Sequence, residues 1–323
     1  MAEQNKKLVS FVIPCYRSAN TIRAVADEIN RTMPSLIQYD YEVILVNDGS
    51  PDNTFEVISD LARSNRHYVA VDLAKNFGQH AALMAGLSHC RGDFVVCMDD
   101  DGQTPANEVG KLLDRLEKND CDVAMASYEH KQHSAFRNFG TVLNNRMTEI
   151  MLGKPRDLSM TSYFAIKRFI VDEMLNYKNC FPYLDGLILR CTRRIRTVPV
   201  EHRARQIGAS GYTLGKLFSL WMDGFTAFSV KPLRIASVLG VGTAFAGFLY
   251  TIIIIIKHFI DSDIPMGWSS TIALMLVLGG IILLMLGLVG EYIGRIYMCI
   301  NSAPQFVERS VVRFHDEADA QAE

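Results

Sequence analysis

The sequence predicts an α/β fold, a mostly parallel sheet covered by helices, joined to a two-helix transmembrane hairpin. Three observations predict it. Short apolar runs alternate with stretches of helical spacing through the first part of the chain. Asn, Asp and Gly gather just after several of those runs. Two long stretches without a charged residue lie near the C-terminal end.

The elements follow in order. Leu8–Ile13 is an apolar run stopped by Pro14, and reads as the first strand. Ile22, Val25 and Ile29 then recur at helical spacing. Tyr41–Val46 is a second strand, ended by Asn47-Asp48-Gly49-Ser50. Asp52 or Asn53 is placed to cap the next helix, which carries Phe55, Ile58 and Leu61. Val69–Leu73 is a third strand, and Gly78 to Leu87 an Ala-rich helix. Asp93–Met98 is a fourth strand that runs into three aspartates. Pro105 fits the first turn of a helix through Leu116, and Asp122–Ala126 is a fifth strand. Sheets of this kind bind ligands beyond the carboxyl ends of their strands, where the polar motifs occur.

Composition narrows the function classes. The 323 residues carry 33 Lys and Arg against 35 Asp and Glu, a net charge of -2. That balance gives no basic excess for wholesale nucleic-acid binding. An apolar fraction of 49% with 21% charged residues excludes a disordered chain. The mean hydropathy of +0.10 is above what a soluble enzyme needs, and the excess sits after residue 234. Seven scattered cysteines without a CxxC or zinc spacing read as reduced cytosolic thiols. The apolar run near the N-terminus is too short for a signal peptide, so the first part is expected to stay on the side where it was made.

Ile235 to Ile256 and Ile264 to Gly290 are free of charge, and each is long enough for the ~20 helical residues that a bilayer core requires. Lys216, Lys231 and Arg234 precede the first run; Arg295, Arg309 and Arg313 follow the second. The loop between holds Lys257 beside Asp261 and Asp263. Positive residues mark the cytoplasmic side, so both ends should be cytoplasmic and the loop outside. Leu214 to Ser229, with Leu217, Phe218, Trp221 and Phe225, suits either a helix in the headgroup region or one packed on the domain. The expected organisation is 1–212 as cytoplasmic domain, 213–234 as interfacial helices, 235–300 as two spans and 301–323 as a cytoplasmic tail.

The strongest chemical signal is Asp99-Asp100-Asp101-Gly102-Gln103. Adjacent carboxylates repel unless a cation compensates. If strand alternation continues, Asp99, Asp101 and Gln103 share one side, a donor set for Mg²⁺ or Mn²⁺. The other reading is an acidic surface turn with a helix cap at Thr104, and the spacing leaves both open. Asp48 at a strand end can accept from a ring N–H or a ribose hydroxyl, although Asn-Asp-Gly-Ser is turn chemistry in any protein. His80 and His89 read as structural. Arg190, Arg193, Arg194, Arg196, Arg203 and Arg205 suit a solvated basic face or an anionic-lipid contact. No GxGxxG follows the first strand and no GxxxxGK[ST] occurs, which weakens dinucleotide and P-loop readings.

Taken together, Phe11-Val12-Ile13-Pro14-Cys15-Tyr16, Val46-Asn47-Asp48-Gly49-Ser50, Asn76-Phe77-Gly78-Gln79-His80 and Met98-Asp99-Asp100-Asp101-Gly102-Gln103 form an ordered set. The set resembles glycosyltransferase family 2, in its polyprenyl-phosphate (dolichol-phosphate-mannose-synthase-like) branch. The similarity continues through Arg205-Gln206-Ile207-Gly208-Ala209-Ser210-Gly211-Tyr212 and into the spans, over roughly residues 8–300. The resemblance implies a GT-A-like nucleotide-sugar-binding sheet with flanking helices. It implies that Pro14 and Tyr16 border the nucleotide base and that Asp48 holds it, with uracil as the base. Asp99, Asp101 and Gln103 match the D-x-D-x-Q that binds the diphosphate through Mg²⁺ or Mn²⁺, with Asp100 beside the donor. Arg205, Ser210 and Tyr212 would approach the lipid phosphate, with Arg137 near the same phosphates.

Two departures matter. The branch often carries Ser-Lys-Tyr where this chain has Ser210-Gly211-Tyr212, which takes away a candidate phosphate-contacting cation. Many members carry Gly-Asp-Phe-Arg where Asp157 is followed here by Leu158-Ser159-Met160-Thr161-Ser162-Tyr163. Asp157 is the nearest candidate for the acid proposed as a base in such members.

The activity implied is inverting transfer from a nucleotide sugar, a UDP-sugar, to an undecaprenyl-type polyprenyl phosphate in cell-envelope glycan synthesis. The site would be the inner (cytoplasmic) membrane, with the bilayer as a partner and a homo-oligomer, such as a tetramer, as the assembly. Two rivals stand beside it. A processive polysaccharide synthase would carry Gln-x-x-Arg-Trp, which is absent, and more spans. A non-catalytic membrane scaffold or flippase-associated subunit would be favoured by loss of the D-x-D, which is present.

Overall fold

The computed structural model describes residues 6–128, 149, 155, 158, 160–201, 233, 238, 240–243, 245, 247–250, 252–253, 256 and 267–314. The chain divides into two units, Met1–Lys216 with Pro304–Glu323, and Leu217–Ala303.

The first unit is built on an eight-stranded sheet. Its strands are β1 (Lys7–Cys15), β2 (Tyr39–Asn47), β3 (Tyr68–Leu73), β4 (Phe94–Cys97), β5 (Val123–Tyr128), β6 (Phe164–Lys167), β7 (Ile195–Val200) and β8 (Glu308–Arg313). Their order is β7-β5-β6-β4-β1-β2-β3-β8. The run β4-β1-β2-β3 is parallel throughout. Its central strands are covered on both faces, which is why β1 is continuously buried from Val9 to Cys15 instead of alternating.

The helices that cover it are amphipathic where they lie on the surface. Helix α1 (Ile22–Thr32) buries Ile22, Val25, Ala26 and Ile29. Helix α2 (Thr54–Ser64) starts where Asp52 accepts hydrogen bonds from the Thr54 backbone and hydroxyl, at 3.3 and 2.6 Å. Helix α3 (Gln79–His89) is buried from Ala81 to Leu87, and its small residues let it lie close on the sheet. A Cβ at Gly86 would come within 2.4 Å of Val12 Cγ1. Pro105 precedes a short 3-10 turn, Ala106–Glu108, before helix α4 (Val109–Glu117).

The five expected strands are all present. One placement differs: β5 runs parallel to β7 but antiparallel to β6, and β6 runs antiparallel to β4, so this half of the sheet is mixed. The sequence periodicity does not predict β6, β7 or β8. β8 is the larger surprise, because it follows the apolar segments and pairs antiparallel with β3. Part of the stretch expected to be a tail is thus a sheet edge. Helices α5 (Arg168–Leu175) and α6 (Leu184–Cys191) complete the described part of this unit.

The second unit contains α7 (Trp268–Ile300), a helix of 33 residues, and a shorter apolar helix at Gly240–Tyr250. Leu278–Ile300 is long and apolar enough to cross a membrane. Only 6% of its most apolar window is buried, unlike the core helix of a soluble protein. The helix continues past Gly290, where the charge-free run ends, and Arg295 pairs with Glu291 one turn earlier at 2.8 Å. Part of the expected first span lies outside the described residues.

All seven cysteines are free thiols.

Candidate functional site

Strands β4, β1 and β2 lie side by side and parallel, so their carboxyl ends open at one edge. Three loops meet there. The β1 loop leaves Tyr16 at 46% exposure, and Arg17 adopts a left-handed φ of +59°. A non-glycine residue in that region is strained, and such strain gathers at functional sites. The Arg17 backbone N–H donates to Ser50 Oγ at 3.1 Å, and its guanidinium lies 5.5 Å from the Tyr16 ring centre.

The β2 loop is fixed by Asp48. This side chain, 4% exposed, accepts from the backbone N–H groups of Phe77 at 2.7 Å and Gly78 at 3.0 Å. Asn76 Nδ2 donates to the Asp48 carbonyl at 3.0 Å. Burial pushes the Asp48 carboxyl above its usual range, while the two N–H donors pull it back. Gly49 has φ +59°, and a Cβ there would sit 2.4 Å from the backbone of Lys75 and Asn76. Only glycine permits that approach. Asp48 is thus the tie between two loops, with both carboxylate oxygens already engaged.

The β4 loop holds the three aspartates, and they take three different sets of partners. Asp99 accepts from Gln79 Nε2 at 3.1 Å on one oxygen and from Ser162 Oγ on the other. Asp100 accepts from the Tyr16 backbone N–H at 3.3 Å and from Ser18 Oγ. Asp101 accepts from the Gln103 backbone N–H at 3.0 Å. It also lines a polar cleft of about 400 Å³ with Thr21, Glu28, Arg31 and Asn107. The alternation invoked to align Asp99, Asp101 and Gln103 stops with β4 at Cys97, and Gly102 turns the chain at φ +74°. The stretch from Asp99 to Gln103 is thus a turn, not a continued strand, and the expected alignment by strand alternation does not occur.

The cluster is electrostatically loaded. Burial raises the Asp99 carboxyl to about 6; Ser162 and Gln79 oppose that rise, and Asp101 and Asp100 add to it. Burial likewise raises Asp100. Tyr128, at the end of β5, is pushed up to about 12 by burial and by Asp99 and Asp101. A cation beside these carboxylates would favour their charged forms and oppose the rise. Among the described residues no three His, Cys, Asp or Glu side chains form a metal cage. The donor set that the sequence suggests, Asp99, Asp101 and Gln103, is two carboxylates and an amide, all oxygen. That fits Mg²⁺ or Mn²⁺, which bind through one or two carboxylates and leave positions for phosphate and water.

Pro14 lies inside β1, opposite Val46, directly before the loop that carries Tyr16. Arg137, Asp157, Arg205, Ser210 and Tyr212 lie outside the described residues, as does the stretch around Trp221. His80 is structural in its contacts: its ring packs edge-on against Tyr183 at 5.0 Å, and Nδ1 faces the Leu184 N–H at 3.5 Å. Burial lowers its pKa to about 4, so it is neutral. His89 pairs with Glu308 of β8 at 2.9 Å. Arg194 pairs with Asp122 at 3.6 Å, a structural use of one member of the basic cluster.

Sequence reasoning gave no role to Gln79, Ser162, Ser18 or Arg17. Gln79 stands inside a quoted motif, so its polar side chain at a helix start was a signal. Ser162 carried none, because it reaches Asp99 only through the pairing of β6 with β4.

Comparison with known proteins adds independent findings. A family model described as Glycosyl transferase family 2 matches residues 10–175, and one described as GtrB C-terminal hairpin matches residues 231–296. Over 309 residues the chain is 34% identical to the undecaprenyl-phosphate 4-deoxy-4-formamido-L-arabinose transferase of Sodalis glossinidius (strain morsitans), covering 94% of each chain. The transferase of the same name from Klebsiella pneumoniae (strain 342) is 31% identical over 310 residues, 95% of this chain and 94% of the relative. Among solved structures, glucosyl-3-phosphoglycerate synthase from Mycobacterium tuberculosis with Mn²⁺, UDP-glucose and phosphoglyceric acid is similar over 67% of this chain and 76% of its own. That likeness has 18% identity and a TM-score of 0.49.

Proposed function

The chain belongs to glycosyltransferase family 2, and on that premise we propose that it moves a sugar from a UDP-sugar to an undecaprenyl-type polyprenyl phosphate in the membrane, with inversion at the anomeric carbon. The observation that carries the proposal is the aspartate cluster at the open edge of β4, β1 and β2, in a chain whose relatives match it nearly end to end. Those relatives are named as transferases acting with undecaprenyl phosphate.

The chemistry needs little from a general base. A phosphate monoester has a second pKa near ~6, so the acceptor is largely dianionic at neutral pH. Its oxygen forms the new bond to the anomeric carbon while the bond to the nucleoside diphosphate breaks. No proton has to be removed, so Asp157 is not required as a base. Attack opposite the leaving group turns an α-linked donor into a β-linked lipid phosphate sugar.

The donor side is assigned to Pro14, Tyr16, Asp48, Asp99 and Asp100. Asp99, Asp101 and Gln103 would hold a divalent cation, whose chemistry here is neutralisation of the departing diphosphate. Arg205 would align the acceptor, since a guanidinium stays charged and grips phosphate oxygens in a fork. Ser210, Tyr212 and Arg137 are assigned to the same phosphate.

A polyprenyl chain leaves the bilayer only at a cost of ~0.8 kcal/mol per buried CH₂, so the enzyme must work at the membrane. The segment matching the hairpin lies between β7 and β8, which belong to one sheet. A chain that leaves a sheet and rejoins it must cross a bilayer an even number of times. This supports two spans with β7 and β8 on one side of the membrane, and the Lys and Arg residues flanking the spans favour the cytoplasmic side.

The test is transfer by membranes containing the full chain. Labelled UDP- and GDP-sugars, including 4-deoxy-4-formamido-L-arabinose donors, are offered with polyprenyl phosphate, and the glycolipid is identified by mass spectrometry. One sugar transferred, with loss on chelation of divalent metal, is the expected result. A product that keeps the donor's anomeric configuration by NMR defeats the inverting mechanism.

A further inference from the structure

We propose that Arg309, on the strand that follows the membrane hairpin, is a positioning residue for the donor loop at the end of β2. The inference rests on the reading of that loop as the nucleotide side of the site. Asp72, near the end of β3, is 3% exposed and carries a carboxylate that must be compensated. Two donors do so. Asn47 Nδ2 donates to Oδ1 at 2.7 Å, and Arg309 Nη1 donates to Oδ2 at 3.3 Å. Arg309 also donates through Nη2 to the Ala74 carbonyl at 2.8 Å, and Ala74 N–H donates to the Val307 carbonyl at 2.8 Å.

The β3–β8 ladder is irregular at this point. Asp72 pairs with Ser310 and Leu73 with Glu308, so Arg309 is the extra residue of a bulge. A bulge re-aims a side chain, and this one directs Arg309 onto Asp72.

From Asp72 the bonding runs to the site. Asn47, which donates to Asp72, accepts at Oδ1 from the Ser50 N–H at 3.2 Å. Ser50 Oγ accepts from the Arg17 N–H at 3.1 Å. Asp48 stands between Asn47 and Gly49 in the same loop. Without Arg309, the buried Asp72 keeps Asn47 as its only side-chain donor among the described residues, and the Asn47–Ser50 loop loses its fixed support. The residue that returns from the membrane segment thus sets the shape of the nucleotide loop.

The test uses the full chain in detergent with MgCl₂, titrated with UDP by calorimetry. Arg309→Ala should weaken UDP about tenfold, the size expected for losing a hydrogen bond to a charged group. In turnover the KM for the nucleotide sugar should rise in step, while kcat and the KM for polyprenyl phosphate hold. Arg309→Lys keeps the charge without the fork and should recover part of the UDP affinity. It also serves as the readable variant if Arg309→Ala does not fold. UDP affinity equal to wild type in the folded variants overturns the positioning role alone. A loss spread equally over kcat and both KM values overturns it too, since that is the mark of general destabilisation. Failure of the wild-type chain to bind UDP at all overturns the nucleotide reading, and this inference with it.

Discussion

Asp48 and Asp99 each sit just past a parallel strand, and different chemistry holds them. Asp48 is gripped by the backbone N–H groups of Phe77 and Gly78. Asp99 is gripped by two side chains, Gln79 and Ser162, that come from separate elements. The first arrangement depends on the path of the chain and belongs to the framework. The second depends on replaceable groups and can be tuned. The start of α3 serves both, since Gly78 contributes to one and Gln79 to the other.

The largest expected effect lies on the aspartate cluster around Asp99. Asp101→Ala should lower kcat on the order of 10³-fold with little change in melting temperature, if Asp101 holds the donor's counter-ion as proposed. Steady-state rates beside a thermal melt decide it; retention of wild-type turnover would remove Asp101 from the mechanism. The framework side should respond in stability instead. Gly49→Ala forces a Cβ to within 2.4 Å of the backbone of Lys75 and Asn76 at φ +59°. It should cost about 2–4 kcal/mol in denaturant unfolding. An unchanged midpoint would mean that the two loops are not tied together as described.

Smaller effects sharpen the contrast. Gln79→Ala and Ser162→Ala should each raise the donor KM about 3- to 10-fold with stability nearly unchanged, as one hydrogen bond to a carboxylate is removed. Equal loss of stability in both variants would place Asp99 with the framework.

The smallest effect concerns His80, which follows Gln79 in α3. Its folded pKa of about 4 lies below the ordinary 6.5, so the fold favours the neutral ring. The unfolded chain takes up the proton first. The stability this gives is complete above pH 6.5 and is lost as pH falls toward 4. His80→Gln should flatten the decline of melting temperature across that window, and a parallel decline in both proteins would contradict it.

Much of the parallel half was legible. β1 to β4 are short apolar runs closed by turn residues, and burial on both faces writes such runs directly into sequence. The aspartates and Asp48 were legible as motifs because their residue types are costly anywhere else. The antiparallel half was harder. β6 covers only four residues, and β7 alternates buried and exposed residues around Pro199. β8 reads Glu-Arg-Ser-Val-Val-Arg, is mostly exposed, and pairs only with β3 at the edge of the described sheet.

By itself the sequence determined which segments are buried, where the chain turns, which part is apolar enough for a bilayer and which residue types gather at the strand ends. The folded structure decided partners: Ser162 beside Asp99, Arg309 on Asp72, and β5 antiparallel to β6. The reason is physical. Periodicity reports whether a side chain leaves water, a property of the local segment. What it then meets depends on strand order and register, which are fixed only when distant segments pair.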